Sequence, residues 1–213
     1  RLGQGSLTSP AVNALRDALL DHQTDPPIVP ALVRIIRSNP TSHAAQAASQ
    51  VLSLAGKSIP EALEEVQILG IEHWSNLPGE KEFAQMDSKA RAEWEKRVTT
   101  DINVIGAMGK MAKHAPDPKK FAVHKQLQAL VFPKTSAHPD MRARYSAIRA
   151  IAAAGTGSEE FFQKVAVEYV GDETSAAVRS LYENYGSAAL DRLVKAHPQN
   201  ELVKLYVSYY IGK

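Results

Sequence analysis

The sequence contains no cysteine, which excludes disulfides, thiolate metal sites and a cysteine nucleophile together. It also lacks any apolar run of about 18 residues, the length a bilayer-spanning helix needs. Even the stretch from Ile148 to Gly155 is interrupted by Arg149. Aromatic residues make up only 7% of the chain and are placed unevenly, since all seven tyrosines lie after residue 144. A Walker loop, a Gly-x-Ser-x-Gly elbow and a Gly-x-Gly-x-x-Gly turn following a strand are all missing. No motif therefore announces phosphate binding or acyl transfer.

An excess of one sign of charge is small overall, with a net of +2, yet it is not evenly spread. Residues 1–88 carry 6 Lys/Arg against 10 Asp/Glu, a balance of −4. Residues 89–149 carry 13 against 5, or +8, and residues 150–213 carry 6 against 8, or −2. A basic middle between acidic ends is the main electrostatic feature.

What is abundant is helical patterning. Ser9-Pro10 places a capping residue before proline, and Val12, Leu15 and Leu19 then form one apolar stripe. Val29, Leu32, Val33 and Ile36 predict a second helix, ended by Asn39-Pro40. Ser42 to Ala55 predicts a third, lined by Ala44, Ala47, Ala48, Val51 and Leu52 and closed by Gly56. Such small side chains suit a helix sandwiched between others. Ser58 to Glu61 opens a fourth through Leu63, Val66 and Leu69, and the turn Pro78-Gly79 follows. From Lys89 to His114 the apolar spacing predicts one long helix of roughly 40 Å, with Thr99-Thr100-Asp101 as a cap should it divide in two. Shorter helices follow over 119–132, 140–154, 158–170, 173–185, 187–197 and 200–211, the stripe of 140–154 including Met141 and that of 173–185 including Tyr185. Residues 1–8 are expected to be an unstructured lead, and 9–213 a single α-helical repeat domain. The opening at Arg1 fits a remnant, a processed start or a cut inside a longer chain, and the compartment stays open.

Two stretches echo each other. Pro40, Ala48, Leu52, Ala55 and Gly56 align without gaps on Pro139, Ala147, Ile151, Ala154 and Gly155. The offset corresponds to three periods of about 33 residues. Within the second stretch, Asp140-Met141-Arg142-Ala143-Arg144-Tyr145-Ser146-Ala147 through Gly155 resembles the second helix of a HEAT repeat, of the short-repeat bacterial type. That family favours proline and acid at the start, arginine in the early turns, alanines in the middle and glycine at the end. The resemblance is good for 138–155, fair for 39–56 and weak for 172–186. It implies an all-α fold of about eleven helices, a solenoid of stacked helical hairpins that buries its core between neighbours. The long helix within 72–115 departs from the pattern and is expected to interrupt regular stacking. The family is a scaffold class with many roles, so the resemblance does not by itself specify one.

Reactive side chains are sparse. His114, Asp117 and His124 come nearest to a metal-ligand set, but Pro116 and Pro118 separate them, so a surface or structural role is expected. Glu64-Glu65 and Glu159-Glu160 suit helix first turns, where the dipole favours acids. Gly106-Ala107-Met108-Gly109 lies within a helix, where close packing explains the glycines better than phosphate binding. No catalytic residue, cofactor or metal is expected. The leading expectation is a non-catalytic module that binds or scaffolds another macromolecule, foremost a protein. The alternative is nucleic-acid binding through the basic helical face at 110–149, as some HEAT-like DNA glycosylases grip a duplex. A third reading is an enzyme whose cleft no motif reveals. The candidate binding face comprises Lys119, Lys120, Lys125, Arg142, Tyr145 and Arg149, with Arg142 and Arg149 seven apart and Tyr145 between them. Tyr206, Tyr209 and Tyr210 near the end could join an interface, though packing of the last repeat is the plainer role.

Overall fold

The computed structural model describes residue 17 and residues 28–55, 62–74, 80–133 and 140–212. The expected helix after Ser9-Pro10, the breaks at Thr24 to Pro27 and at Gly56, the opening at Ser58 and the turn at Pro78-Gly79 lie outside them, apart from Asp17, which is helical. Eleven helices with described ends follow: α1 (Ile28–Ser38), α2 (His43–Ala55), α3 (Leu63–Trp74), α4 (Glu80–Gln85), α5 (Ser88–His114) and α6 (Asp117–Val131) come first. Then come α7 (Met141–Ala154), α8 (Glu159–Glu168), α9 (Asp172–Tyr185), α10 (Ser187–Ala196) and α11 (Glu201–Ile211). There is no strand among the described residues. The protein is all-α.

Local chemistry sets the helix ends. The Asp140 carboxylate accepts from the Arg142 amide, the Ser158 hydroxyl from Phe161 and the Asn200 side chain from Val203, each satisfying a first-turn donor. At the end of α7, Gly155 adopts the left-handed conformation (φ 70°). Its N–H donates to the Ala152 carbonyl, and that of Thr156 donates to Ile151. Asp87 caps α5, which then runs unbroken for 27 residues. The Thr99-Thr100-Asp101 stretch is therefore no cap. Thr100 instead donates its hydroxyl to the Pro40 carbonyl at 2.9 Å, and Asp101 lies buried beside Arg97.

Helices close in sequence pack in pairs: α1 with α2, α3 with α5 across the short α4, α6 with α7, α8 with α9, and α10 with α11. The second members also pack on one another in chain order, α2 on α5, α5 on α7, α7 on α9 and α9 on α11. The long α5 thus keeps contact with helices before and after it while lengthening the spacing between them. It sits between α2 and α7, burying Val104, Ile105, Met108 and Met111. Among the described helices the α5–α7 contact is the most extensive. Gly109 makes it possible, because a Cβ built there would stand 2.6 Å from the Ala150 Cα. With Ala143, Ala147 and Ala150 buried on α7, the two helices approach closely. This is the packing role expected for that glycine.

Two further expectations are corrected. The spacing between the echoing stretches of α2 and α7 spans two helix pairs, not three, because α4 and the long α5 lengthen the intervening segment. Later pairs are tighter, with α7, α9 and α11 starting at Met141, Asp172 and Glu201, about 30 residues apart. Met141 and Tyr185 do not line the core but lie exposed. Met141 opens the first turn of α7, beyond its packed middle, and Tyr185 ends α9, where its hydroxyl reaches the Gly157 carbonyl.

Polar ties join the pairs as well. Asn103 and Lys110 of α5 donate to Ser49 Oγ and the Ser53 carbonyl of α2. Gln126 of α6 donates to the Gln67 carbonyl of α3, and the Tyr169 hydroxyl to the Val131 carbonyl. His124 of α6 meets the Thr156 hydroxyl at 3.2 Å and stands edge-on to Phe161. Burial lowers its pKa below 6.5, opposed by a hydrogen bond with Gln128. A lowered folded-state pKa means the unfolded chain binds the proton first, so this contribution is complete above about 6.5 and fades as pH falls. Urea midpoints measured from pH 7.5 down to 5.5 should decline, and His124→Gln should flatten the decline. An unchanged slope in that variant would remove His124 from the account.

Candidate interaction surface

The six residues proposed from sequence divide into two groups in space. Lys119, Lys120 and Lys125 lie on α6, which packs against α3, α5 and α7. They do not share one face even there, since Lys125 stands about 140° around the helix from Lys120. Lys120 borders the buried side and pairs with Asp117 at 3.7 Å. The other basic residues of the middle segment are dispersed too. Lys110 reaches α2, and the Arg144 guanidinium is turned inward onto Glu173. Lys134 lies outside the described residues.

Arg142, Tyr145 and Arg149 behave differently. They occupy positions i, i+3 and i+7 of α7, along the border of its buried face, where Tyr145 is half-buried against the core beside Ile148 and Ala152. Arg142 pairs with Glu95 of α5 at 2.7 Å and with its own cap Asp140 at 2.8 Å. The Asp140 hydrogen bond, with burial working against it and Glu95 adding, raises the Arg142 pKa. Arg149 crosses to α9, donating to Glu183 at 2.9 Å.

On α9 the same pattern recurs. Arg179 and Tyr182 stand three positions apart, as Arg142 and Tyr145 do, and both are exposed. Arg179 donates to Glu183 at 2.7 Å, so Glu183 receives two guanidinium groups from two helices. Burial works to raise the pKa of Glu183, but the bonds from Arg179 and Arg149 outweigh it and hold the carboxyl below its ordinary range. Tyr182 is 42% exposed and its ring lies 5.8 Å from that of Tyr210 on α11. Tyr209 then meets Tyr210 edge-on at 5.2 Å. Helices α7, α9 and α11 thereby carry a continuous strip of tyrosine and arginine side chains.

Arg179, Tyr182 and Glu183 were not among the residues proposed from sequence, whereas Tyr210 was one of the three C-terminal tyrosines noted there. The repeated Arg-x-x-Tyr spacing at 142–145 and 179–182 is the signal that could have found the first two. Lys119, Lys120 and Lys125 are not brought to this strip by any contact between α6 and α9 or α11 of the extent that links α6 to α7. Among the described residues no group of three or more His, Asp or Glu is placed to hold a metal ion. Nor is any helix among them long and apolar enough to cross a membrane. The chain matches no protein-family model, no curated protein and no solved structure.

Proposed function

We propose that the chain is a helical-repeat scaffold that binds another protein through the outer face of α7, α9 and α11. In this reading the helix pairs stack as a solenoid of the HEAT kind, an arrangement that suits the chain-order packing of α2, α5, α7, α9 and α11. The observation that carries the function is the alignment of Tyr145, Arg149, Arg179, Tyr182 and Tyr210 on neighbouring helices. Tyrosine and arginine dominate interface hot spots because each offers broad contact area and directed hydrogen bonds. They stand on helices already fixed by packing, so little ordering is needed on binding. No reactive group is required. Nucleic-acid binding through 110–149 is less favoured, because Arg144 is turned inward onto buried Glu173 and the lysines diverge.

The test is site-specific photo-crosslinking in extract of the cells that make the protein. Crosslinkers at Ser146 and Ser175, on the strip, should trap one discrete protein, and crosslinkers at Lys125 and Lys195 should not. Tyr145→Ala with Tyr182→Ala should weaken that capture at least about 30-fold, as loss of a hot spot of 2 kcal/mol implies. Equal capture from all four positions, or tight salt-sensitive binding of random duplex DNA with no trapped protein, would defeat this reading.

A further inference from the structure

Among the described charged groups of the strip, Glu183 occupies a special place. It is the only carboxylate there to receive guanidinium groups from two different elements, Arg149 of α7 and Arg179 of α9. Arg149 is steered into position by a second partner, since its Nη1 also lies 3.4 Å from Ser180 Oγ, and that hydroxyl is itself locked onto the Ala176 carbonyl. Each guanidinium offers five N–H donors. Arg149 engages through Nη1 and Arg179 through Nε, so further N–H donors remain on both partly exposed groups. Tyr182 and Tyr210 form an aromatic wall beside them.

We infer that Arg149 and Arg179 form a carboxylate seat for an acidic side chain of a protein partner, with Glu183 as its internal placeholder. This rests on the protein-binding reading above. Two preoriented guanidiniums converging on one point are complementary to a carboxylate, which accepts such bonds in parallel. Glu183 is a weak incumbent. It is exposed, and exposed ion pairs contribute little because water solvates the separated charges nearly as well. An incoming carboxylate can share or take over the seat while Glu183 turns to solvent. The tyrosine wall would cover the flanking chain of the partner.

The test uses an acetylated ten-residue polyglutamate peptide, titrated at about 50 mM salt, where surface electrostatics remain strong. Glu183→Gln empties the seat of its charge and should bind the peptide about tenfold more tightly than the unmodified chain. Adding Arg149→Gln or Arg179→Gln to that variant should return binding to the unmodified level or below. A polylysine peptide of equal length should gain nothing. All three positions are solvent-accessible, so these variants should keep the helical circular-dichroism spectrum of the unmodified chain. The seat is refuted if Glu183→Gln binds polyglutamate no more tightly, if the gain survives removal of both arginines, or if the variant gains affinity for duplex DNA alone. Should photo-crosslinking on the strip still depend on Tyr145 and Tyr182, the protein-binding reading outlives that refutation.

Discussion

Replacing Gly109 with alanine should destabilise the protein by about 1–3 kcal/mol, although the same change in an isolated helix would stabilise it by roughly 1 kcal/mol. The added methyl would overlap Ala150 at its Cα, Cβ and carbonyl oxygen, all within 2.7 Å. Two of those atoms are backbone, so relief requires α5 and α7 to separate rather than a side chain to rotate. Separation would loosen the packing of Ile105, Met108 and Met111, which are fully buried. A larger residue such as leucine should exceed the stability of a typical domain and prevent folding. Gly106→Ala on the same helix is the control, because its Cβ would meet only the Ser53 hydroxyl at 3.2 Å. Urea denaturation of the three chains decides the matter. If the Gly109→Ala midpoint equals or exceeds that of the unmodified chain, close approach does not hold α5 to α7.

Glu173→Ala should cost more, about 3–5 kcal/mol, the usual result of removing one partner of a buried pair. The Glu173 side chain is only 2% exposed and accepts two bonds from Arg144, from Nε at 2.9 Å and from Nη2 at 2.8 Å. Arg144 also lies over the Tyr169 ring at 5.3 Å, and the Tyr169 carbonyl accepts from Thr174. The pair thus locks α7 to the α8–α9 junction. Deleting the carboxylate strands a largely buried guanidinium, whereas deleting both charges does not. Arg144→Met with Glu173→Leu should therefore recover most of the loss, and a double-mutant cycle on thermal unfolding measures the coupling. Additive single-site effects would mean that the two side chains stabilise independently.

Much of the secondary structure was legible because local rules and packing agreed. Val29, Leu32, Val33 and Ile36 predicted a helix from their spacing alone, and all four are buried in α1. Asp140 and Gly155 announced both ends of α7, since capping is a matter of neighbouring residues. Met141 misled because periodicity does not say where along a helix a neighbour stops covering it. The candidate surface was legible only in part. Arg142, Tyr145 and Arg149 share a face by arithmetic, but Lys119, Lys120 and Lys125 were grouped with them on sequence proximity and charge. Charge in a sequence carries no information about its partner. The carboxylates of Glu95, Glu173 and Glu183, which occupy Arg142, Arg144 and Arg149, come from distant segments.

The one-dimensional chain determined that this protein is helical, where most of its helices start and stop, and which side of each seeks cover. Those properties follow from bonds and contacts within a few residues. Only the three-dimensional packing decided that α5 lies between α2 and α7 and that Arg149 and Arg179 meet over one carboxylate. It likewise set the tyrosines of α9 and α11 side by side. Such choices depend on how closely two helices can approach, and that is set by residues such as Gly109 and Ala150, some 40 positions apart, whose fit exists only once both helices are folded.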